Sequence, residues 1–251
     1  MYTTLLLIAI VAYLICYFSE KSSRRFFLWG GSLVHGLGIL LALRELIFVH
    51  PLVGLGFVSC MLSGILLTQL RHPKFDSMLR PGLALVILML VIGMLSPKAT
   101  IVAVSQKIWI SVHVFLILVG YLCFTVGAIV GGMYIIVQTR LKQRKLEGIN
   151  QFLSLPVLDQ YNYRALLIGF GALLSGALSG IFWSLGNDNF SLDFTTSTTV
   201  VLLLWYAVAL LSRYFGRQGR WIAWFSLIGF ATLIIIIFLA SVIGNWHFGV
   251  L

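Results

Sequence analysis

The chain has 251 residues, of which 60% are hydrophobic and 10% charged, and its formal net charge is +10. A mean hydropathy of +1.04 leaves more apolar surface than a water-soluble core can hide, which excludes a soluble domain. The positive charge is restricted to particular connections between apolar runs. That excludes a nucleic-acid partner and assigns the charge to membrane topology and lipid headgroups.

In chain order the apolar runs cover about 2–18, 26–49, 51–70, 79–95, 108–137, 165–185, 198–211 and 221–246. Most approach or exceed the roughly 20 residues that a helix needs to cross about 30 Å of hydrocarbon. The expectation is an all-α, polytopic transmembrane helical bundle of about eight spans, a single transmembrane domain over 1–251 with the lipid bilayer as its partner. The first run is read as a retained helix. Its charges follow the apolar stretch, and no small-residue cleavage site closes it.

Lys21, Arg24 and Arg25 lie between the first two runs, and Arg71, Lys74 and Arg80 between the third and fourth. Arg140, Lys142, Arg144, Lys145 and Arg164 lie between the fifth and sixth, and Arg213, Arg217 and Arg220 between the last two. Only Arg44, Lys98 and Lys107 remain for the opposite side. The positive-inside rule then puts these four connections in the cytoplasm and both termini outside. The arginines at 213, 217 and 220 are expected to meet anionic headgroups, at about 1 kcal/mol each. The longest connection, 138–164, starts as a basic extension of the fifth run. Its second half, 150–163, mixes Phe152, Leu153, Leu155, Val157 and Leu158 with polar residues, a pattern that suits the inner membrane surface.

Cys16, Cys60 and Cys123 lie within runs and lack CxxC spacing, so they read as small apolar fillers. Glycines at 120, 127 and 131, and Ala172, Gly176 and Gly180, form small-residue stripes that let helices approach closely. Nothing resembles a nucleophile–base pair, a phosphate loop or a metal-hydrolase motif, so the chain is not expected to be an enzyme. Few intramembrane acids and no evident inverted repeat argue against a transporter.

Five histidines remain: His35, His50, His72, His113 and His247. His50 and His72 each precede a proline at a run's end, where polar residues are ordinary. His35 is well inside the second run, where an imidazole needs a partner, a wet cavity or a ligand. His113 starts the fifth run and His247 follows the eighth, so the topology assigns both to the outer face. Imidazole is a strong axial ligand for haem iron, and two histidines from separate helices suffice to clamp one haem.

Further residues carry a resemblance. The sixth run reads Arg164-Ala-Leu-Leu-Ile-Gly169-Phe, then Gly176-Ala-Leu-Ser-Gly180-Ile-Phe-Trp183. Leu204-Trp205-Tyr206, Gly216-Arg217-Gln218-Gly219-Arg220 and Ile228-Gly229-Phe230 follow. In order and sidedness these are similar to the integral-membrane cytochrome c assembly family (CcsA, ResC and CcmC type), nearest its short branch that includes HemX and YpjD. The resemblance implies a multi-pass protein of the bacterial cytoplasmic (inner) membrane that binds haem b non-covalently and works with other cytochrome c maturation proteins. By position it implies His113 and His247 as ligands of the haem iron, His35 as an early-span histidine on the haem route, and Trp183 as a cofactor contact. Residues 183–193 keep only Trp183 and Asp188 or Asp193 of the family's tryptophan- and aspartate-rich outer signature. An accessory or regulatory membrane subunit that has lost haem presentation is therefore the alternative.

The topology is open to a direct check. Reporter fusions at Lys145 and at the C-terminus should read cytoplasm and exterior respectively; the reverse reading at either point overturns the orientation.

Overall fold

The structure, a computed structural model, describes residues 2–45, 51–69, 76–95, 107–145, 152–186 and 194–243. Among them are eight helices and no strand: α1 (Tyr2–Phe18), α2 (Lys21–Glu45), α3 (Pro51–Gln69), α4 (Asp76–Leu95), α5 (Lys107–Lys142), α6 (Leu155–Gly186), α7 (Phe194–Tyr214) and α8 (Arg220–Ile243). Six of them, α2 and α4 to α8, are long and apolar enough to cross a bilayer; α1 and α3 are shorter apolar helices. The protein is a multi-pass, all-helical membrane protein.

Several helices run past the apolar limits read from the sequence. α2 takes in Lys21, Arg24 and Arg25, and α5 takes in Arg140 and Lys142. Lys, Arg and Gln are good helix formers, so the backbone ladder continues after the side chains leave the hydrocarbon. The clearest correction concerns 150–163. Instead of lying along the membrane surface, its residues from Leu155 onward are the first turns of α6, with Leu158 and Asn162 buried. At 1.5 Å per residue the 36-residue α5 and 32-residue α6 extend roughly 54 and 48 Å, well beyond the hydrocarbon thickness.

The chain divides into two compact units, Met1–Ser96 with Lys145–Leu153, and Pro97–Arg144 with Ser154–Leu251. In the first, α1 packs on α2 and α3 on α4, while α2–α3 and α1–α4 contacts close a four-helix ring. Leu6, Ala9, Tyr13 and Cys16 recur every three or four residues and are fully buried, the stripe that one helix face supplies. α2 answers with glycines: a Cβ at Gly31 would stand 2.9 Å from Tyr13 Cε1, and one at Gly38 2.8 Å from Leu6 Cδ2.

In the second unit α5 packs along α6 and against α8, and α7 lies against α6 and α8. The α5–α6 seam has a regular spacing of four and three on both helices. It runs through His113, Ile117, Gly120, Phe124, Gly127, Gly131 and Tyr134 on α5, and Asn162, Leu166, Gly169, Leu173, Gly176, Gly180 and Trp183 on α6. That 3.5-residue repeat keeps one face against its partner along the whole pair. Glycines make the approach close. A Cβ at Gly120 would meet the Gly169 carbonyl at 3.2 Å, one at Gly169 would meet Phe124 Cε1 at 2.7 Å, and one at Gly176 would meet Ile117 Cγ1 at 2.9 Å. Phe124 stacks on Tyr206 of α7, with centroids 3.7 Å apart and planes within 4°. The Tyr206 hydroxyl is buried without a hydrogen-bond partner. Trp205 Nε1 donates to the Phe225 carbonyl at 3.0 Å, which ties α7 to α8.

The α7–α8 turn is built from its glycines. Gly216 has φ +81°; its N–H reaches the Arg213 carbonyl at 3.0 Å and the Arg217 N–H reaches Ser212 at 3.0 Å, the paired bonds of a Schellman stop. Asp159 of α6 fastens the turn. Its carboxylate accepts from Arg213 Nη1 at 2.8 Å and from the Gly219 N–H at 2.9 Å, the latter where α8 begins and its dipole favours an anion. Arg213 also lies over the Tyr163 ring, 4.3 Å from its centroid. Arg213 is therefore turned inward to Asp159 instead of meeting headgroups, whereas Arg217 and Arg220 are exposed.

Asp159→Ala removes both acceptors from partners that are mostly shielded, Arg213 and Asp159 side chains being 21% and 12% exposed. The expected loss is about 2 kcal/mol, seen as a lower melting temperature in detergent and faster tryptic cleavage after Arg217. Unchanged melting and cleavage would show that Asp159 does not hold the turn.

Candidate functional site

His113 sits near the start of α5 and faces α6. Its Nδ1 lies 2.7 Å from the Gly176 carbonyl oxygen. A carbonyl only accepts, so Nδ1 carries the proton and the ring's lone pair is on Nε2. The same carbonyl accepts from Ser179 Oγ at 2.7 Å. The imidazole lies across the position of Gly180, where a Cβ would stand 2.6 Å from Cε1 and 2.8 Å from Nδ1. Two glycines of α6 thus make the seat for this side chain, one through its carbonyl and one through its missing Cβ. A backbone carbonyl on the far nitrogen is the outer-shell arrangement by which metal-binding histidines are oriented.

Trp183 continues the same α6 stripe, one turn beyond Gly180, and is half-buried. His113 and Trp183 therefore share one end of the α5–α6 pair. His247, the expected second ligand, lies outside the described residues, as do His50, His72 and 187–193 with Asp188.

The opposite end of the pair holds a second polar concavity of about 510 Å³, lined by Tyr134, Leu155, Pro156, Asp159, Gln160, Arg213, Gln218 and Gly219. Tyr134 follows His113 on α5 by 21 residues, roughly 31 Å along the helix, close to a bilayer's hydrocarbon thickness. The acid–arginine pair there is already mutually satisfied.

His35 has a different setting. It is fully buried in the first unit, among Tyr13 of α1 and Ser59 of α3. Both of its ring nitrogens have hydrogen-bond partners there. Among the described residues no cluster of three or more His, Cys, Asp or Glu suits a metal ion. Reading the sequence did not identify Gly176, Gly180, Tyr13 or Ser59 as partners of the histidines. The signal was available for the glycines, since 113, 117 and 120 and 176, 180 and 183 share the four-and-three spacing.

A family model described as Cytochrome C assembly protein matches residues 2–247. Over 132 residues the chain is 32% identical to "Protein HemX" of Brevibacillus brevis, an alignment that covers 50% of this chain and 48% of that protein. The chain thus spans about half the length of that curated relative. No solved structure matches it. With the match running from α1 past the end of α8, the chain belongs to the cytochrome c assembly protein family.

Proposed function

We propose that the chain is a non-enzymatic, haem-handling component of cytochrome c assembly in the bacterial cytoplasmic membrane. In this reading it holds haem b non-covalently at the outer surface. Membership of the family supports a role in cytochrome c biogenesis. The observation that carries the finer reading is the hydrogen bond from His113 Nδ1–H to the Gly176 carbonyl, which leaves Nε2 as the basic nitrogen. His113 and His247 are the axial imidazoles in this proposal, and Trp183 is the aromatic contact. Haem, when bound, supplies an iron that takes imidazole nitrogen on its axial positions. The protein's part is to fix the imidazole's tautomer and plane, and other maturation proteins are the partners that receive or deliver the cofactor.

Sidedness supports the same arrangement. Arg140 and Lys142 end α5, and Arg213, Arg217 and Arg220 border the α7–α8 turn. With those ends cytoplasmic, both termini and His113 fall outside. The shortened signature of 183–193, with Trp183 its single tryptophan, favours a second reading: an accessory or regulatory membrane subunit without haem presentation.

Haem content and the oxidised and dithionite-reduced Soret spectra of the detergent-purified protein separate the two. His113→Ala should lower haem per folded protein by about tenfold or more, with partial recovery on added imidazole. If the parent takes no haem, the accessory reading stands. If His113→Ala keeps the parent's haem, His113 is not a ligand.

Gly180→Ala should weaken haem binding by about 10-fold or more, the range found when a ligand's outer-shell support is lost. Gly171→Ala, on the same helix with nothing within 4 Å of the added Cβ, should leave it unchanged. Equal behaviour of the two variants in a haem titration would show that the Gly180 seat is immaterial.

A further inference from the structure

The polar cluster around His35 fixes which of its nitrogens is basic. Ser59 has one hydroxyl proton, which it donates to the Gly56 carbonyl at 3.0 Å. Towards His35 Nε2, 3.4 Å away, Ser59 Oγ is therefore left to accept. The Gly56 backbone is also a polar neighbour of the His35 ring. Nε2 thus carries the proton, and the lone pair is on Nδ1. That lone pair accepts from the Tyr13 hydroxyl at 3.0 Å, with the two rings edge-on at 5.8 Å. The seat for Tyr13 is also built in: its ring lies where Gly31 lacks a Cβ. Ser63 and Ser32 are polar neighbours of the same hydroxyl, and Ser32 donates to Ser63 at 3.2 Å. Tyr13, His35 and Ser59 are all fully buried, where a broken hydrogen bond finds no water to replace it.

We propose that His35 is a structural pin and not an iron ligand, with Tyr13 its latch, a positioning residue that occupies the Nδ1 lone pair. The proposal rests on the haem-handling reading above only for the identity of the ligand. In the described state neither nitrogen is available. Nε2, the sterically open one, is protonated and directed at Ser59 and Gly56. Nδ1 has the lone pair, but Tyr13 covers it, and the adjacent Cβ crowds any flat macrocycle that approaches. His113 is the opposite tautomer, with its proton on Nδ1. The two histidines are thus set for different tasks: His113 to ligate and His35 to hold α1, α2 and α3 together.

The test uses the full-length protein in detergent with ¹⁵N-labelled histidine, the His35 signals being assigned by His35→Ala. In the parent, His35 Nε2 should be protonated and Nδ1 should resonate as an unprotonated, hydrogen-bonded nitrogen. Tyr13→Phe should shift Nδ1 towards the value of a free lone pair and leave Nε2 protonated. A protonated Nδ1 in the parent, or an Nδ1 signal that Tyr13→Phe leaves in place, overturns the latch. Haem titration supplies the second arm. His35→Ala should bind haem as the parent does, and Tyr13→Phe should gain no further bound fraction, because Nδ1 stays crowded and Nε2 protonated. Loss of haem in His35→Ala with Tyr13 intact, or a gain in Tyr13→Phe that Tyr13→Phe/His35→Ala lacks, also overturns it. If no variant takes haem, the haem-handling reading falls and the nitrogen signals alone decide the latch.

Discussion

The close approach of α5 and α6 is the constraint on which the second unit depends. In a bilayer two helices gain little from burying apolar surface against each other, because lipid is as apolar as leucine; what remains is contact distance and hydrogen bonding. Glycine at Gly120, Gly127, Gly169, Gly176 and Gly180 removes the Cβ atoms that would keep the backbones apart. The aromatic and amide groups between them then fill the seam, with Phe124 against Gly169 and Asn162 beside Gly127 and Gly131. Asn162 Oδ1 in turn accepts from Ser226 of α8 at 2.7 Å, which extends the same closeness to a third helix. A carbonyl in the middle of an α-helix is ordinarily screened by its neighbours' side chains. At Gly176 that screen is missing, and the exposed carbonyl becomes available to His113.

The ends of this pair differ in chemistry. One end concentrates cations and needs an internal acid to organise them, which Asp159 provides for Arg213 and the start of α8. The other end has an imidazole held by a backbone carbonyl. About 31 Å of helix separates Tyr134 from His113, so no direct contact connects the two ends. They are joined mechanically, through the continuous seam.

Most of the architecture was legible in the sequence because hydrocarbon imposes a length on every span, and eight apolar runs became eight helices. The limits of α2, α5 and α6 were less so. Hydropathy marks where side chains leave lipid, whereas the helical ladder ends where hydrogen bonding and caps end it, as at the positive-φ residue Arg144 after α5 and at Gly216 after α7. His113 and Trp183 could be singled out as residue types at a given depth. Their shared stripe with Gly176 and Gly180 needed the four-and-three register of two helices at once. Asp159 had no sequence signal beyond being an acid among basic residues, since its partners Arg213 and Gly219 lie more than fifty positions later. Tautomers are invisible to sequence altogether, because they follow from which partner can only donate or only accept.

The hydroxyl of Tyr206 has a consequence for how this chain can vary. It is stacked on Phe124, fully buried and without a hydrogen-bond partner, and such a group costs about 1–3 kcal/mol. Phenylalanine would keep the stacking and remove that cost, and a single base change in either tyrosine codon produces it. The chain therefore stands one mutational step from a more stable neighbour at a position in the middle of its packing. Tyr206→Phe is accordingly the first substitution to make when a sturdier background is wanted for crystallisation or for carrying destabilising variants elsewhere in the bundle.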